Sequence, residues 1–258
     1  MYHKVFIAGA TGAIGMQLVP LLCDAGYEVF GMTRSESKAT ELRAANATPI
    51  VLDVFDASAV MRAVAAIRPE VVIHQLTDLP DNLEPGGMAE GVVRTTRIRK
   101  EGTRNLIAAA LQAGARRFIA QSLACWVYAD GPQPYSESDP LDLRGDGPYA
   151  INVEGIVALE RLTLTSPPLE GVVLRYGQLY GPGTGFNERT GWAPVHFDAA
   201  AQAALLAIEC AKTGVFNIAE DSGYVSIVKA RQELGWDPDF RLRDGLSFHA
   251  TARPDTNV

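Results

Sequence analysis

Short apolar runs alternate with segments of helical periodicity along the first two thirds of the chain. Residues 13–25 have apolar side chains at helical spacing and end before Gly26, and further helices are predicted over 57–67, over 149–164, up to Ala45 and up to Gly114. Strands that alternate with helices of this length predict an α/β fold with a parallel sheet and right-handed crossovers. The buried strands predicted in this part are Val5–Ala8, Glu28–Met32, Pro49–Leu52, Glu70–Ile73, Arg117–Gln121 and Gly171–Arg175.

The regular alternation of predicted strands and helices ends after Tyr176. Residues 177–191 are rich in glycine, and a helix over 199–211, a strand over 215–218 and a terminal helix near 227–234 follow. We therefore expect a sheet-forming domain over residues 1–176 and a small substrate lobe over residues 177–258 that does not fold independently.

The composition excludes several classes of protein. With 47% hydrophobic and 21% charged residues, the 258-residue chain is globular rather than wholly disordered. The formal net charge of −7 argues against a protein that binds nucleic acid or an anionic membrane, and no run approaches the ~20 apolar residues that span a bilayer. Three widely spaced cysteines predict neither a disulfide framework nor a metal site, so we expect a cytoplasmic protein without a metal.

A glycine turn follows the first predicted strand. The residues from Gly9 to Gly15 read GATGAIG, and glycines at this spacing let the backbone approach a pyrophosphate, whose charge lies on the N–H groups of the helix start. Because the turn follows a strand and opens a helix, it predicts dinucleotide binding in a Rossmann-type doubly wound sheet, with a purely structural turn as the alternative. The cofactor contacts predicted here are Gly9, Thr11, Gly12, Ala13, Ile14 and Gly15.

Further motifs accompany the glycine turn: Asp53-Val54, Val71-Val72-Ile73-His74, Gln121-Ser122, Arg175-Tyr176-Gly177, Tyr180-Gly181-Pro182-Gly183 and the tail Val225–Trp236. Together these motifs resemble the short-chain dehydrogenase/reductase superfamily, and most of all its extended or atypical branch of NAD-dependent epimerases and dehydratases. The resemblance implies a nicotinamide cofactor and an active site of Ser/Thr, Tyr and Lys. In the family the tyrosine exchanges a proton with the substrate oxygen, while the lysine lowers the pKa of the phenol and holds the nicotinamide ribose.

The end of the second strand bears on the choice between NADP and NAD. An NAD site places an acidic residue about 20 residues past the glycine turn, but Thr33, Arg34 and Ser35 stand here. Arg34 can pair with a 2′-phosphate, and the hydroxyls of Thr33 and Ser35 can donate hydrogen bonds, so NADP is favoured over NAD. The alternative is that Thr33 and Glu36 form a capping box for the next helix while Arg34 points into solvent.

The resemblance implies further cofactor contacts at two other strand ends. Asp53 stands where the family's acidic residue contacts the adenine amino group, with Val54 beside the ring, although Asp53 could also cap a helix or a turn. His74 and Gln75 follow the fourth strand, in the crevice beyond the strand ends where α/β proteins bind ligands. For His74 we favour the alternative of a histidine that is hydrogen-bonded to the backbone.

The expected catalytic positions depart from the family pattern. The resemblance assigns Ser122 and Tyr149 to the catalytic pair, but Val153 stands where the family has lysine, and no lysine occurs between Glu101 and Ala211. A phenol with an ordinary pKa of about 10 is a poor base at neutral pH, yet it can still donate a proton to a developing alkoxide. The pattern therefore favours reduction over oxidation, with Tyr149 either the proton donor or an aromatic side chain that packs on the core.

The substrate side is less defined. Tyr128, Arg175 and Tyr180 are candidate substrate contacts near the mouth of the cleft. The basic segment 94–104 either binds an anionic substrate, such as a sugar nucleotide, or forms a solvated helix face, and we favour the solvated face. The resemblance also implies a homodimer in which this long helix pairs with the Tyr149 helix, with Ala108–Ala113 as a contact.

Three functions fit these observations. The first is an NADP-dependent reductase, or a related oxidoreductase, that acts on a small carbonyl substrate. The second is a sugar-nucleotide epimerase or dehydratase, which needs tightly held NAD and normally a complete Tyr/Lys pair. The third is a non-catalytic protein that senses NADP. The missing lysine favours the first or the third function, and Arg34 also counts against the second.

Overall fold

A parallel sheet with helices on both faces forms the body of the protein in a computed structural model, which describes residues 2–80 and 83–242. None of the helices in these residues is long and apolar enough to cross a membrane. The strands are β1 (Lys4–Ala8), β2 (Glu28–Thr33), β3 (Thr48–Val51), β4 (Val71–His74), β5 (Arg117–Leu123), β6 (Glu170–Tyr176), β7 (Gln178–Tyr180), β8 (Pro194–His196) and β9 (Gly214–Ile218). The helices are α1 (Ala13–Asp24), α2 (Glu36–Ala44), α3 (Ala57–Ile67), α4 (Pro85–Arg97), α5 (Thr103–Ala113), α6 (Gly147–Leu164) and α7 (Phe197–Glu209), with π-helical turns at Ile98–Gly102 and Ala230–Leu234.

The strand order confirms the predicted doubly wound α/β fold. Seven parallel strands follow the order β3-β2-β1-β4-β5-β6-β9. The chain winds to one side from β1 to β3 and to the other side from β4 onward, so the switch point lies between β1 and β4. Ligands of such sheets bind in the crevice at the carboxyl ends of the strands at this point. Gly9 follows β1 there, and Gln75 follows β4.

The core lies on both faces of the sheet because successive strand residues point to opposite sides. In β1, the fully buried Val5 and Ile7 belong to the apolar cluster that includes residues of α1 and α7, whereas Phe6 and Ala8 belong to the cluster that includes residues of α3 and α5. This burial fixes the strands whose ends form the crevice.

The chain after Tyr176 joins the same sheet. Strand β9 pairs with β6 as the seventh strand, and α7 packs against α1. A separate two-stranded parallel sheet, β7 with β8, was missed by the sequence analysis because strands of three residues carry no readable alternation. The described part of segment 177–258 therefore shares a core with the main sheet.

The predicted capping box at α2 is wrong. Ser35, not Thr33, is the N-cap of α2, since its Oγ accepts a hydrogen bond from the N–H of Lys38 at 3.4 Å. The Thr33 hydroxyl instead accepts from the N–H of Ser35 at 3.3 Å and lies 3.2 Å from the hydroxyl of Thr11. Thr33 thus ties the end of β2 to the glycine turn.

Candidate functional site

The turn after β1 leaves backbone donors open at the start of α1. Gly9 has a φ of +90°, and a Cβ there would lie 2.7 Å from the carbonyl carbon of Gln75. A Cβ at Gly15 would overlap the carbonyl oxygen of Gly9, so both glycines permit close backbone packing. Gly12 is the N-cap of α1, and none of the described side chains caps this helix. The first N–H groups of α1 are therefore free to bind an anion.

A cleft extends from this turn along the carboxyl ends of β1 to β4. Five predicted contacts are not among its lining residues: Ala13, Ile14, Gly15, Ser35 and His74. Eight predicted contacts do line it, namely Gly9, Thr11, Gly12, Thr33, Arg34, Asp53, Val54 and Gln75. The lining residues that the sequence analysis missed are Met32, Lys38, Phe55, Leu76, Thr77 and Ile98.

Two cations line the cleft beyond β2. The Arg34 side chain is 53% exposed and pairs with Asp78, its Nη2 lying 3.1 Å from Oδ1. Lys38, in the first turn of α2, is also exposed. The last residue of β2 is Thr33, so neutral and cationic groups stand where an NAD site would place a carboxylate. Lys38 could have been predicted as a cleft residue because it follows Arg34 by four residues and lies in the first turn of α2.

The end of β3 supplies a carboxylate and an apolar surface. Asp53 Oδ1 accepts a hydrogen bond from the N–H of Phe55 at 2.8 Å, which confirms the turn role that was the alternative for this residue. Asp56, not Asp53, caps α3. Asp53 Oδ2 makes no hydrogen bond within the described residues and remains available at the cleft, beside the buried Val54. Both roles of Asp53 are therefore compatible.

His74 and Gln75 differ in their accessibility to the cleft. The buried His74 accepts a hydrogen bond from the N–H of Leu76 at Nδ1, 3.2 Å away, and its Nε2 lies 3.1 Å from the hydroxyl of Thr103. Burial, with the nearby charge of Arg99, lowers the pKa of His74 to about 3, so the ring is neutral and holds the end of β4 in place. Gln75 donates to the Tyr176 hydroxyl at 3.4 Å, while its buried Oε1 has no partner within the described residues.

Tyr149 lies in the first turn of α6, half-buried, and its ring packs against the backbone of Gly145. Its hydroxyl makes no hydrogen bond to any described residue. Burial raises the pKa of Tyr149, and the carboxylates of Asp142 and Asp130 raise it further. Val153, one turn along the same helix, is buried. The phenol is therefore protonated at neutral pH.

Ser122 is fully buried, and the structure does not place its hydroxyl at the cleft. The Oγ of Ser122 donates to Oε1 of Glu160 at 2.6 Å. Glu160 also binds Arg175 through two hydrogen bonds, of 2.8 Å from Nε and 2.7 Å from Nη2. These three side chains form a buried polar network between β5, β6 and α6.

The three candidate substrate contacts have their polar atoms bound inside the protein. Tyr128 donates to Oδ1 of Asn217 at 2.6 Å and accepts from Nη1 of Arg175 at 3.1 Å, so both side chains are engaged inside the protein. Tyr180 donates to Oε1 of Glu220. All three are buried, so a substrate does not reach them in this structure, and the sequence could not reveal these distant partners.

The basic segment 94–104 is mostly a solvated face, as favoured above. Exposed ion pairs join Arg94 to Asp78, Arg97 to Glu101 and Lys100 to Glu154. Arg99 is different, because it is 4% exposed and forms no ion pair with a described carboxylate. The sequence analysis gave no separate role to this residue.

The alanine-rich contact expected for a dimer is partly enclosed within the chain. Ala109 and Ala110 are fully buried in the cluster that includes residues of α3, while Ala108 and Leu111 are exposed. A partner could therefore contact only the outer residues of segment 108–113. The homodimer stays a prediction.

Comparisons with known sequences identify a family model and curated relatives that match this chain. A model of the NAD dependent epimerase/dehydratase family matches residues 5–219. The 3-diazoavenalumate denitrifying reductase of a Streptomyces species is 40% identical over 238 residues, covering 84% of this chain and 76% of that protein. The dTDP-4-dehydrorhamnose reductase of Streptomyces griseus is 29% identical over 182 residues, which cover 69% of this chain and 50% of that protein.

Solved structures show the same fold. The UDP-glucose 4-epimerase of Thermotoga maritima, with UDP-glucose, has a TM-score of 0.74 and 20% identity, covering 95% of this chain and 97% of that one. The UDP-glucose 4-epimerase of Thermus thermophilus, in complex with NAD, has a TM-score of 0.73 with the same identity and coverage. The matching family model and the 40% identical relative show more than the fold: this chain belongs to the NAD-dependent epimerase/dehydratase family, a family of extended short-chain dehydrogenase/reductase enzymes.

Proposed function

We propose that this protein is an NADP-dependent reductase that delivers a hydride to a small organic substrate. The observation that carries the proposal is the phenol of Tyr149, whose pKa is raised by burial and by the carboxylates of Asp142 and Asp130, while no cation of the described residues lowers it. Such a phenol can give a proton at neutral pH but cannot take one efficiently. Reduction needs the first of these abilities, and alcohol oxidation needs the second.

The residues of the cleft fit a nicotinamide dinucleotide. The open start of α1 would bind the pyrophosphate, and at Gly12 a side chain would only crowd that contact. Asp53 would meet the adenine, while Arg34 and Lys38 would pair with a 2′-phosphate. The buried, unpartnered Oε1 of Gln75 is an acceptor that a ligand donor would satisfy. When bound, the reduced cofactor supplies the hydride.

A small carbonyl compound is the first substrate class to consider. Its oxygen becomes an alkoxide as the carbonyl carbon is reduced, and the protonated Tyr149 O–H would donate the proton that this alkoxide needs. Epimerisation and dehydration by way of a sugar hydroxyl begin with removal of a proton from that hydroxyl. The family lysine assists this step, and the buried Val153 cannot.

A diazo carboxylate is the second substrate class, and the 40% identical relative favours it. That relative's name describes a reductase that removes nitrogen from 3-diazoavenalumate. In its cationic diazonium form such a substrate accepts the hydride of NADPH at carbon: a C–H bond forms, the C–N bond breaks, and its electron pair leaves with N2. No hydroxyl is deprotonated in this reaction, so the replacement of lysine by Val153 would not slow it.

Two assays test the proposal. The purified protein is given NADPH deuterated at C4, with a panel of small carbonyl compounds and with aryl diazo carboxylates, and deuterium in the product is measured. Tyr149→Phe provides the matched variant: we expect it to lose carbonyl reduction and to keep diazo reduction. If wild-type protein binds NADPH but transfers deuterium to no substrate of either class, the non-catalytic NADP sensor becomes the better description.

The proposal includes a cytoplasmic homodimer. The three cysteines Cys23, Cys125 and Cys210 are unpaired, which fits a reducing compartment. Light scattering of the purified protein tests the dimer, with a mass near 55 kDa expected from about twice the 27.7 kDa chain. A monomer across the micromolar range would contradict this part of the proposal.

A further inference from the structure

Arg99 is a buried cation that forms no direct ion pair with any described residue. It lies in the π-helical turn Ile98–Gly102, and only 4% of its surface is exposed. Its Nη1 donates one hydrogen bond, to Oδ1 of Asn152 at 2.6 Å, and no other described group accepts from this guanidinium. Arginine carries five N–H donors, so most of its hydrogen-bonding capacity is unused within the described residues.

A buried guanidinium with unused donors lowers the stability of the fold unless a ligand accepts its hydrogen bonds. Burial lowers the pKa of Arg99 to about 10, and Glu160, which raises it, forms no ion pair with Arg99. The guanidinium is therefore still charged at neutral pH, and a buried charge with one described hydrogen-bond partner and no direct ion pair opposes folding. π-Helical turns inside longer helices also occur frequently at functional sites.

The residues around Arg99 adjoin the cofactor crevice, although Arg99 itself is buried and is not among the residues that line the described cleft. The preceding residue, Ile98, lines the cleft, and Arg99 lies close enough to His74 at the end of β4 to lower its pKa. The partner of Arg99, Asn152, is the residue directly before Val153 on α6. Arg99 thus brings a positive charge from the neighbouring helix to the segment of α6 where the family has its lysine.

We propose that Arg99 donates hydrogen bonds to the nicotinamide ribose hydroxyls of the bound dinucleotide, the positioning role that the family assigns to the lysine replaced here by Val153. Two N–H groups on one edge of a guanidinium match a vicinal diol. The proposal rests on NADP binding as proposed above. It does not give Arg99 the lysine's other role, since none of the described cations lowers the pKa of Tyr149.

The test separates the two halves of the cofactor. Arg99→Met and wild-type protein are titrated with NADPH and with 2′,5′-ADP, which carries the 2′-phosphate and adenine but no nicotinamide ribose. We expect Arg99→Met to weaken NADPH binding by about tenfold to a hundredfold and to leave 2′,5′-ADP binding unchanged. Arg99→Lys should recover part of the loss. Lys100→Met, which removes an exposed neighbouring cation, should bind both ligands like wild type.

Each other outcome identifies a specific failure. Wild-type protein that binds neither ligand overturns the proposed function and this inference together. Equal NADPH affinity of Arg99→Met and wild type, or equal weakening of both ligands, overturns only the role of Arg99. The unliganded Arg99→Met protein should melt at the wild-type temperature or above it, because an unpaired buried charge is removed. A lower melting temperature for both Arg99→Met and Arg99→Lys would show a structural role instead.

Discussion

Arg34 is held by Asp78, with Nη2 of the guanidinium 3.1 Å from Oδ1 of the carboxylate. The other carboxylate oxygen, Oδ2, lies 3.2 Å from Nε of Arg94. The Arg34–Asp78 ion pair joins the loop after β2 to the loop after β4. These two strands lie on opposite sides of β1 in the sheet. A 2′-phosphate carries more charge than one carboxylate and accepts more hydrogen bonds, so it can compete with Asp78 for Arg34.

This pair leads to a prediction about cofactor selectivity. Arg34→Ala should weaken NADPH by about tenfold or more and leave NADH unchanged, because only NADPH carries the 2′-phosphate. Asp78→Asn should strengthen NADPH by a few-fold, roughly the worth of one exposed ion pair, since Arg34 loses its competing partner. Fluorescence titrations with both cofactors measure these changes. Equal effects on NADPH and NADH would exclude a phosphate contact.

The glycine turn offers a matched pair of variants. Gly12→Ala should fold normally, because the φ of −83° at this position suits any residue and a Cβ would meet only the Gly9 oxygen, at 3.5 Å. The added methyl group should nevertheless weaken dinucleotide binding. Gly15→Ala would force a Cβ into the Gly9 oxygen, so it should lower the free energy of unfolding by about 1–3 kcal/mol. Urea unfolding and NADPH titration separate the effects. Loss of stability in Gly12→Ala would contradict this account of the turn.

The raised pKa of Tyr149 predicts opposite pH profiles for the two directions of a carbonyl reaction. Because the phenol stays protonated until the pH passes its raised pKa, kcat/KM for reduction should show no fall from this group between about pH 6 and pH 9.5. Over the same range, kcat/KM for oxidation should rise by about tenfold per pH unit, as the small phenolate fraction grows. Tyr149→Phe should abolish the rise. An inflection near pH 7 would show that a cation lowers this pKa after all.

The buried network around Glu160 predicts a structural rather than a chemical role for Ser122. Ser122→Ala should lower the free energy of unfolding by about 1–3 kcal/mol, the range for a hydrogen bond to a charged group, with kcat unchanged. Glu160→Ala should cost about 3–5 kcal/mol, because it leaves Arg175 buried without its counter-charge. Thermal and urea unfolding measure both. A large loss of kcat in a stably folded Ser122→Ala protein would restore the catalytic assignment.

The elements near β1 were predictable because their signals are local. The run Val5–Ala8, the glycine turn and the helix before Gly26 are continuous in sequence, and each matches a defined backbone requirement. The N-cap of α2 was harder to predict from the sequence, because threonine and serine are both good N-caps. The contact between the hydroxyls of Thr33 and Thr11 appears only in the structure.

The burial of Arg99 and Ser122 could not be read from the sequence. A π-helical turn interrupts the regular helical spacing of the basic segment 94–104, and Arg99 lies within this turn and is buried. For Ser122, the deciding partner is Glu160, 38 residues further along the chain. Contacts of this kind depend on how α6 packs against the sheet.

A crystal structure of the protein with NADPH tests the central claim most directly. We predict that the pyrophosphate lies against the N–H groups at the start of α1, with the 2′-phosphate between Arg34 and Lys38. A nucleotide bound elsewhere on the molecule, with the start of α1 in contact with protein or water alone, would contradict the account.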